Sequence, residues 1–447
     1  ARLPLRVDVA PPGEQPAPDP LVQVGGADVL GKWYFGAVHA PVALCKELRQ
    51  VPDPGVGKTT KHIELNVKSF PSLEWRTADN LEVLPSNPED LVLWFAERLG
   101  VRDKLEDRVS FRRAEGVTKA VKKPFPTPCT VWTALSLYCD LCSAPSRAAA
   151  RRLAAFAESM EERDALDRLL QDSDAYQWLA GEGVRLTLRE FFELFLSSAR
   201  LDLGSFLQLC PRQKSRPYTI SSSSKEDPHR LGICVSMVRE LLPSLAEVLA
   251  GLEARGHAAP HAGEAAAGGP RSFCGVCSTM LCTRTSVGDS LWVAARASSF
   301  RLPRRTTTPI IMVGAGTGVA PFRAFTREFR AERGARASTL LIFGCTKSDE
   351  DFLYREELQE ALSLEPPALR ELVMAFSREQ AEKVYVQHRL RERKEELAQL
   401  MAKGAYIYVC GSVKMGRAIR EEVVSALGDP DYLTRLLTEE RYVEELW

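Results

Sequence analysis

The sequence contains no run of about 18 apolar residues, so no segment is expected to cross a bilayer as a helix. Neither sign of charge predominates. Lys plus Arg number 59 and Asp plus Glu number 59, so no global field points to nucleic acid. Histidine is scarce, at six residues. The two CxxC pairs, Cys139 with Cys142 and Cys274 with Cys277, have no histidine cluster beside them, so a closed four-ligand metal site is not expected. Initiator Met and signal peptide are both lacking, which reads as a processed product or a fragment of a longer protein. What is present is ordinary for a globular chain of 447 residues: 45% apolar and 26% charged, enough for two or three domains. Eleven irregularly spaced cysteines read as free thiols in a reducing, cytoplasmic compartment.

Composition divides the chain. Residues 1–28 are proline-rich and read as a linker. Residues 29–87 and 204–303 carry strand patterns, such as Lys61 to Val67, Arg216 to Ile220, Leu231 to Val238 and Ser290 to Ala294. Between them, residues 88–203 switch to helical spacing, including Val131 to Leu141 and Ala148 to Leu170. The simplest account is an antiparallel β-domain with an all-α insertion. The Ala, Gly, His and Pro of 251–270 suggest a flexible surface excursion, with His257 and His261 in solvent. In residues 304–447 strands (Pro309 to Val313, Ser338 to Phe343, Leu369 to Phe376, Ala405 to Cys410) alternate with helices (Arg323 to Arg333, Glu350 to Glu360, Leu390 to Met401, Met415 to Ala426). Such alternation predicts an α/β parallel sheet.

Chemistry concentrates where those strands end. Gly314, Gly316 and Gly318 follow the first strand and precede a helix, so backbone amides can approach a polyphosphate. The spacing departs from GxGxxG, and alone such a loop is a weak signal. Ser377, Arg378, Lys383 and Tyr385 follow another strand. A hydroxyl, two cations and an aromatic suit a phosphate monoester beside a stacked ring, which favours NADP over NAD. In the β-domain, Arg216, Tyr218 and Ile220 share one strand face, with Ser221 beyond. Gly275-Val276-Cys277-Ser278 makes a second small-residue turn before an expected helix. Two phosphate cradles imply two cofactors.

These motifs together resemble the ferredoxin–NADP reductase superfamily, and within it the FAD/NADPH half of the diflavin reductases. The likeness is strongest to the branch that reduces cytochromes P-450, with the diflavin oxidoreductases of iron–sulfur assembly as near kin. It covers Gly36 to Trp447 and includes Ser348 to Leu358, Ala375 to His388 and Tyr408 to Gly411. The resemblance implies an NADPH-dependent flavoprotein reductase. FAD would be held by Arg216, Tyr218, Thr219, Ile220, Ser221, Gly275, Val276, Cys277, Ser278 and Trp447. NADP would be held by Lys46, Gly316, Thr317, Gly318, Ser377, Arg378, Lys383, Tyr385 and Gln387. Thr219, Cys410, Glu445 and Trp447 would form the hydride-transfer group. It also implies an FMN-binding flavodoxin-like partner domain that is not in this sequence, and a haem or iron–sulfur protein downstream. A cytoplasmic protein is implied, with anchoring on the cytosolic face of the endoplasmic reticulum open for the full-length form. The chain departs from the family at several points. Glu445 stands where Asp is usual, Thr219 where Ser is, and Ser412 where Asp follows the Cys-Gly pair, and no adenine-stacking tyrosine is evident after Val238. Two alternatives remain: a stand-alone ferredoxin–NADP reductase, which would lack the helical insertion, and a non-catalytic NADPH-binding sensor, which would not need Tyr218, Thr219, Cys410 and Trp447 together.

Overall fold

The computed structural model describes all residues except 1–2, 15–17, 27, 54–57, 266–268 and 333–337. Parts of the expected linker and of the 251–270 excursion lie outside the described residues, as does the expected helix end at Arg333. The chain forms two compact units. One comprises Ala1–Ala37, Leu84–Ser215 and Val238–Met280; the other comprises Val38–Val83, Arg216–Met237 and Leu281–Trp447.

The first unit is mainly helical, but the 88–203 segment is not all-α as expected: Arg108–Arg113, Val121–Lys122 and Cys129–Thr130 are strands. The run expected as one helix from Ala148 to Leu170 is two, Arg147–Ala154 and Met160–Gln171. The break falls where the Ser159 side chain accepts from the Glu162 amide and starts a new helix. The helix expected from Val131 shortens to one turn, Val131–Thr133, and a wide turn over Ala134–Tyr138. Residues 1–28 are not simply a linker: Leu5–Ala10 is a strand, antiparallel to Arg108–Arg113. Its two ends, Leu5 and Ala10, are buried, while Val9 is exposed. His257 and His261 are likewise not free in solvent. They pair with Asp172 at 2.9 Å and Glu162 at 2.6 Å, and Ala262–Ala265 within this region is helical.

The second unit contains two sheets. Six antiparallel strands run in the order Arg230–Ser236, Thr60–Asn66, Val38–Glu47, Ser290–Arg296, Asn80–Val83 and Arg216–Thr219. An isolated bridge, Ile220 to Ile233, links the chain beyond the last strand to the first. The other sheet has five parallel strands in the order Glu371–Phe376, Thr339–Cys345, Ile310–Ala315, Tyr406–Gly411 and Tyr442–Leu446.

Both faces of the parallel sheet are buried, which is why its central strands read as continuous apolar runs. Alternate residues separate into two cores. Met312, Phe343 and Tyr408 pack with Phe322, Phe325 and Phe329 of helix Ala320–Glu332. Ile311, Val313, Ile342 and Val409 face Leu390, Leu397 and Ile419 from helices Val386–Glu392, Lys394–Ala402 and Val413–Leu427. The expected helix Leu390 to Met401 is thus two, divided at Arg393, and the one expected at Glu350 starts at Arg355. Because the strands are parallel, all five carboxyl ends lie on one edge.

Candidate active site at the carboxyl edge of the parallel sheet

The glycine loop is built by close approach. Gly314 leaves no room for a side chain, since a β-carbon there would lie 2.7 Å from the Phe322 ring and 2.8 Å from the Gly318 carbonyl oxygen. Gly316 has φ +56°, and nothing lies within 4 Å of where its β-carbon would be. Residues 316–319 make one tight turn and run directly into helix Ala320–Glu332, three residues earlier than the sequence pattern indicated. Ala315, Gly316 and Thr317 remain partly accessible, while Gly318 is buried against the end of the Cys410 strand.

On that strand Cys410 is fully buried. Burial, with the Glu445 carboxylate nearby, pushes its thiol well above the usual range, so it stays protonated and neutral. Its register partner on the edge strand is Glu445. That carboxylate is gripped from the antiparallel sheet at both oxygens. Thr219 Oγ1 lies 3.2 Å from Oε2 and Asn80 Nδ2 lies 3.2 Å from Oε1. Thr219 and Asn80 face each other directly in their own strands, so one rung of the antiparallel sheet supplies both donors. Asp79 fixes that rung: its carboxylate accepts from Arg76 N at 2.8 Å and Ser298 N at 3.0 Å and pairs with Arg301. The structure therefore brings Thr219, Cys410 and Glu445 together. Asn80 escaped the sequence reading, and nothing in Thr77-Ala78-Asp79-Asn80 marks it.

Trp447 follows the edge strand. Its amide donates to Gly411 O and its carbonyl accepts from Val413 N, each at 3.1 Å, and the residue is 59% exposed. Arg216 and Tyr218 are half-buried on the Thr219 strand; Ile220 and Ser221 are buried. On the other side of the edge, Ser377 N and Arg378 N donate to Cys345 O and Thr346 O at 3.0 Å, extending the parallel ladder past the strand ends. Arg378, Lys383 and Tyr385 are exposed and Gln387 half-buried; Tyr385 immediately precedes helix Val386–Glu392. Lys46 is an exposed residue of the Val38–Glu47 strand. In the first unit, Gly275–Ser278 forms a tight turn with Gly275 N donating to Val238 O at 3.0 Å. The Ser278 hydroxyl donates to Gly275 O and accepts from Val238 N, both at 3.1 Å, and Cys277 is buried. The helix expected there is one α-turn, Val276–Thr279, that continues as a wider turn over Met280–Arg284.

A parallel sheet with a glycine loop at its carboxyl edge is the architecture of a nucleotide-binding α/β domain. Comparison with known proteins narrows this. The family model "FAD binding domain" matches residues 35–244, and "Oxidoreductase NAD-binding domain" matches 312–421. NADPH–cytochrome P450 reductase of Mus musculus is 34% identical over 436 residues, covering 91% of this chain and 58% of that protein. The Homo sapiens protein of the same name is 33% identical over 435 residues with the same coverage, and that of Salmo trutta is 30% identical over 426 residues, covering 91% and 62%. The chain belongs to the diflavin reductases of the ferredoxin–NADP reductase superfamily, as their FAD- and NADP-binding module. It spans about 58% of the length of the mammalian relatives named here. Among the described residues no helix is long and apolar enough to cross a membrane.

Proposed function

We propose that this chain is an NADPH-dependent reductase that passes electrons to an FMN-binding flavodoxin-like domain, and from there to a haem or iron–sulfur acceptor. The observation that carries the reading is the meeting of Thr219, Asn80, Cys410 and Glu445 at the carboxyl edge, beside the glycine loop. The residues fit the two cofactors on chemical grounds. Gly316 opens onto free space beside accessible loop amides, which suits a diphosphate. Arg378 and Lys383 are exposed cations beside a hydroxyl and Tyr385, which suits a 2′-phosphate and an adenine ring. Arg216 and Tyr218, adjacent to Thr219, supply a cation and a flat ring for the flavin. When bound, NADPH supplies a hydride and FAD accepts it, then releases electrons singly.

The protein's own part is position and field. A carboxylate fixed at both oxygens favours positive charge developing on a nearby ring and needs no reorganisation. Cys410, held neutral, offers a compact polarisable surface and no competing charge. Trp447 is tied down by its backbone and exposed; its indole would cover the flavin and would have to yield to the nicotinamide. The Ile220–Ile233 bridge between the chain beyond the last of the six antiparallel strands and the first supports their closing into a β-barrel. The 88–203 helices would be a connecting domain, and 29–87 with 204–303 the FAD domain preceding an NADP domain at 304–447. Eleven free cysteines support a reducing, cytoplasmic setting.

Purified chain should be yellow and be bleached anaerobically by NADPH. It should reduce ferricyanide readily and cytochrome c poorly. Rapid reduction of cytochrome c without FMN would refute the two-flavin reading.

A further inference from the structure

Helix Ala320–Glu332 leaves the glycine loop carrying an arginine where an apolar residue would be expected. Arg323 is 3% exposed. Its Nε and Nη2 form a fork with the two oxygens of Glu357, each at 2.9 Å, and its Nη1 donates to the Ser221 carbonyl oxygen at 2.8 Å. Ser221 lies just beyond the Thr219 strand. The guanidinium also stands 4.6 Å from the ring centre of Tyr354, a buried residue in left-handed backbone, φ 54°. The Tyr354 hydroxyl lies 2.9 Å from His62 Nδ1, and His62 Nε2 lies 3.0 Å from Glu64 Oε1. Burial lowers the His62 pKa, so the ring is neutral. Nε2–H then donates to the Glu64 carboxylate, and Nδ1 accepts from Tyr354. Gly232 makes room for the imidazole, since a β-carbon there would lie 2.8 Å from its Cε1.

The loop-bearing helix is thus bolted directly to the Ser221 carbonyl just beyond the Thr219 strand, and reaches the Thr60–Asn66 strand through Tyr354, whose ring Arg323 faces and whose hydroxyl meets His62. Arg327, one turn later, continues the attachment with a contact to Glu226. A buried ionic cluster adds little net stability over an apolar one, but it imposes direction and distance. We propose that Arg323 and Tyr354 are positioning residues. They hold the glycine loop at a set distance from the Thr219 strand end and so set how closely the two coenzyme seats approach. The inference rests on the NADPH-to-flavin reading above.

The test uses the whole chain, as Tyr354→Phe and Arg323→Lys. Tyr354→Phe should keep its flavin content and bind NADP⁺ within about 2-fold of wild type. Bleaching of the flavin band by NADPH in stopped flow should slow by roughly 10- to 100-fold, the scale expected for a misplacement near 1 Å. The isotope effect with NADPH deuterated at the transferred position should rise. In the flavin-free chain, hydrogen exchange at the amides of Gly314 to Val319 should quicken with no global change. Unchanged bleaching and isotope effect, with or without a lower melting temperature, would overturn the proposal, and so would loss of flavin by Tyr354→Phe. If Arg323→Lys does not fold, Tyr354→Phe decides alone, since it removes one oxygen. Wild-type chain that NADPH fails to bleach refutes the functional reading itself, a result visible before any variant is made.

Discussion

Gly318→Ala should separate the loop from the strand beneath it. A β-carbon at Gly318 would lie 2.8 Å from the Cys410 carbonyl carbon, closer still to its oxygen, and 3.3 Å from the Gly411 amide. The strand cannot yield, because Cys410 is paired on one side with Gly314 and on the other with Glu445. The loop must lift instead, by roughly 1 Å, with the ~1–3 kcal/mol penalty typical of overpacking. Lifting it displaces the amides of Gly316 and Thr317, so NADP⁺ affinity should fall at least about 10-fold, equivalent to ~1.4 kcal/mol. Flavin content should be unchanged. Gly316→Ala is the control. Its φ of +56° costs a side chain about 1 kcal/mol, yet its β-carbon touches nothing. It should lower the melting temperature less than Gly318→Ala does while weakening NADP⁺, because its cost is backbone strain alone and the methyl group projects into the space assigned to the diphosphate. Calorimetric titration with NADP⁺ and thermal melts of both variants read these effects. A Gly318→Ala chain that binds NADP⁺ as wild type and melts with it would refute the reasoning.

Other consequences follow from the same geometry. Arg378→Ala should weaken NADPH by about 10- to 150-fold, since a charge-assisted phosphate contact is worth roughly 1.5–3 kcal/mol, and should barely affect NADH; equal losses in competitive titrations would remove the 2′-phosphate assignment. Trp447→Ala should raise kcat/KM for NADH relative to NADPH, because only NADPH has 2′-phosphate contacts to offset displacement of the indole; an unchanged ratio would mean the exposed ring covers nothing. Stability should also fall as pH drops below about 6.5. Folded His62 resists protonation while the unfolded histidine accepts it at its ordinary pKa of 6.5, so its contribution is complete above that pH and lost below it. The groups facing it act in other ranges: Glu64 and Glu357, both held below 4.5, lose their contribution only in stronger acid, Tyr354 is pushed upward, and Arg323 stays charged. Denaturant melts from pH 7 to about 5 should slope for wild type and flatten for His62→Gln.

The parallel sheet was legible because burial on both faces writes itself as unbroken apolar runs, and Ile310–Ala315 and Tyr406–Gly411 begin within a residue of where the pattern placed them. The edge strand Tyr442–Leu446 was not, since only one neighbour covers it and two of its five residues are glutamates. The N-terminal strand Leu5–Ala10 does alternate, but its partner is about a hundred residues away and the prolines that follow obscure it. His257 and His261 read as solvated because Asp172 and Glu162 are distant in sequence. The break at Ser159 could have been found: a serine three residues before Glu162 is a helix-start signal inside an apparently continuous periodic run.

The site shows the same division more sharply. Thr219, Cys410 and Glu445 come from three distant segments, and no periodicity gathers them; only resemblance to a family did. Asn80 belongs to no motif, yet it holds one oxygen of Glu445 while Thr219 holds the other. That bears on the family departure at this position. A glutamate has one more rotatable bond than the usual aspartate, so a single donor would leave its carboxylate free to swing. With both oxygens tied to one rung of the antiparallel sheet, that freedom is removed. The longer side chain presents a fixed charge beside the neutral thiol of Cys410, and it does so because Asn80 and Thr219 are direct partners in their own strands.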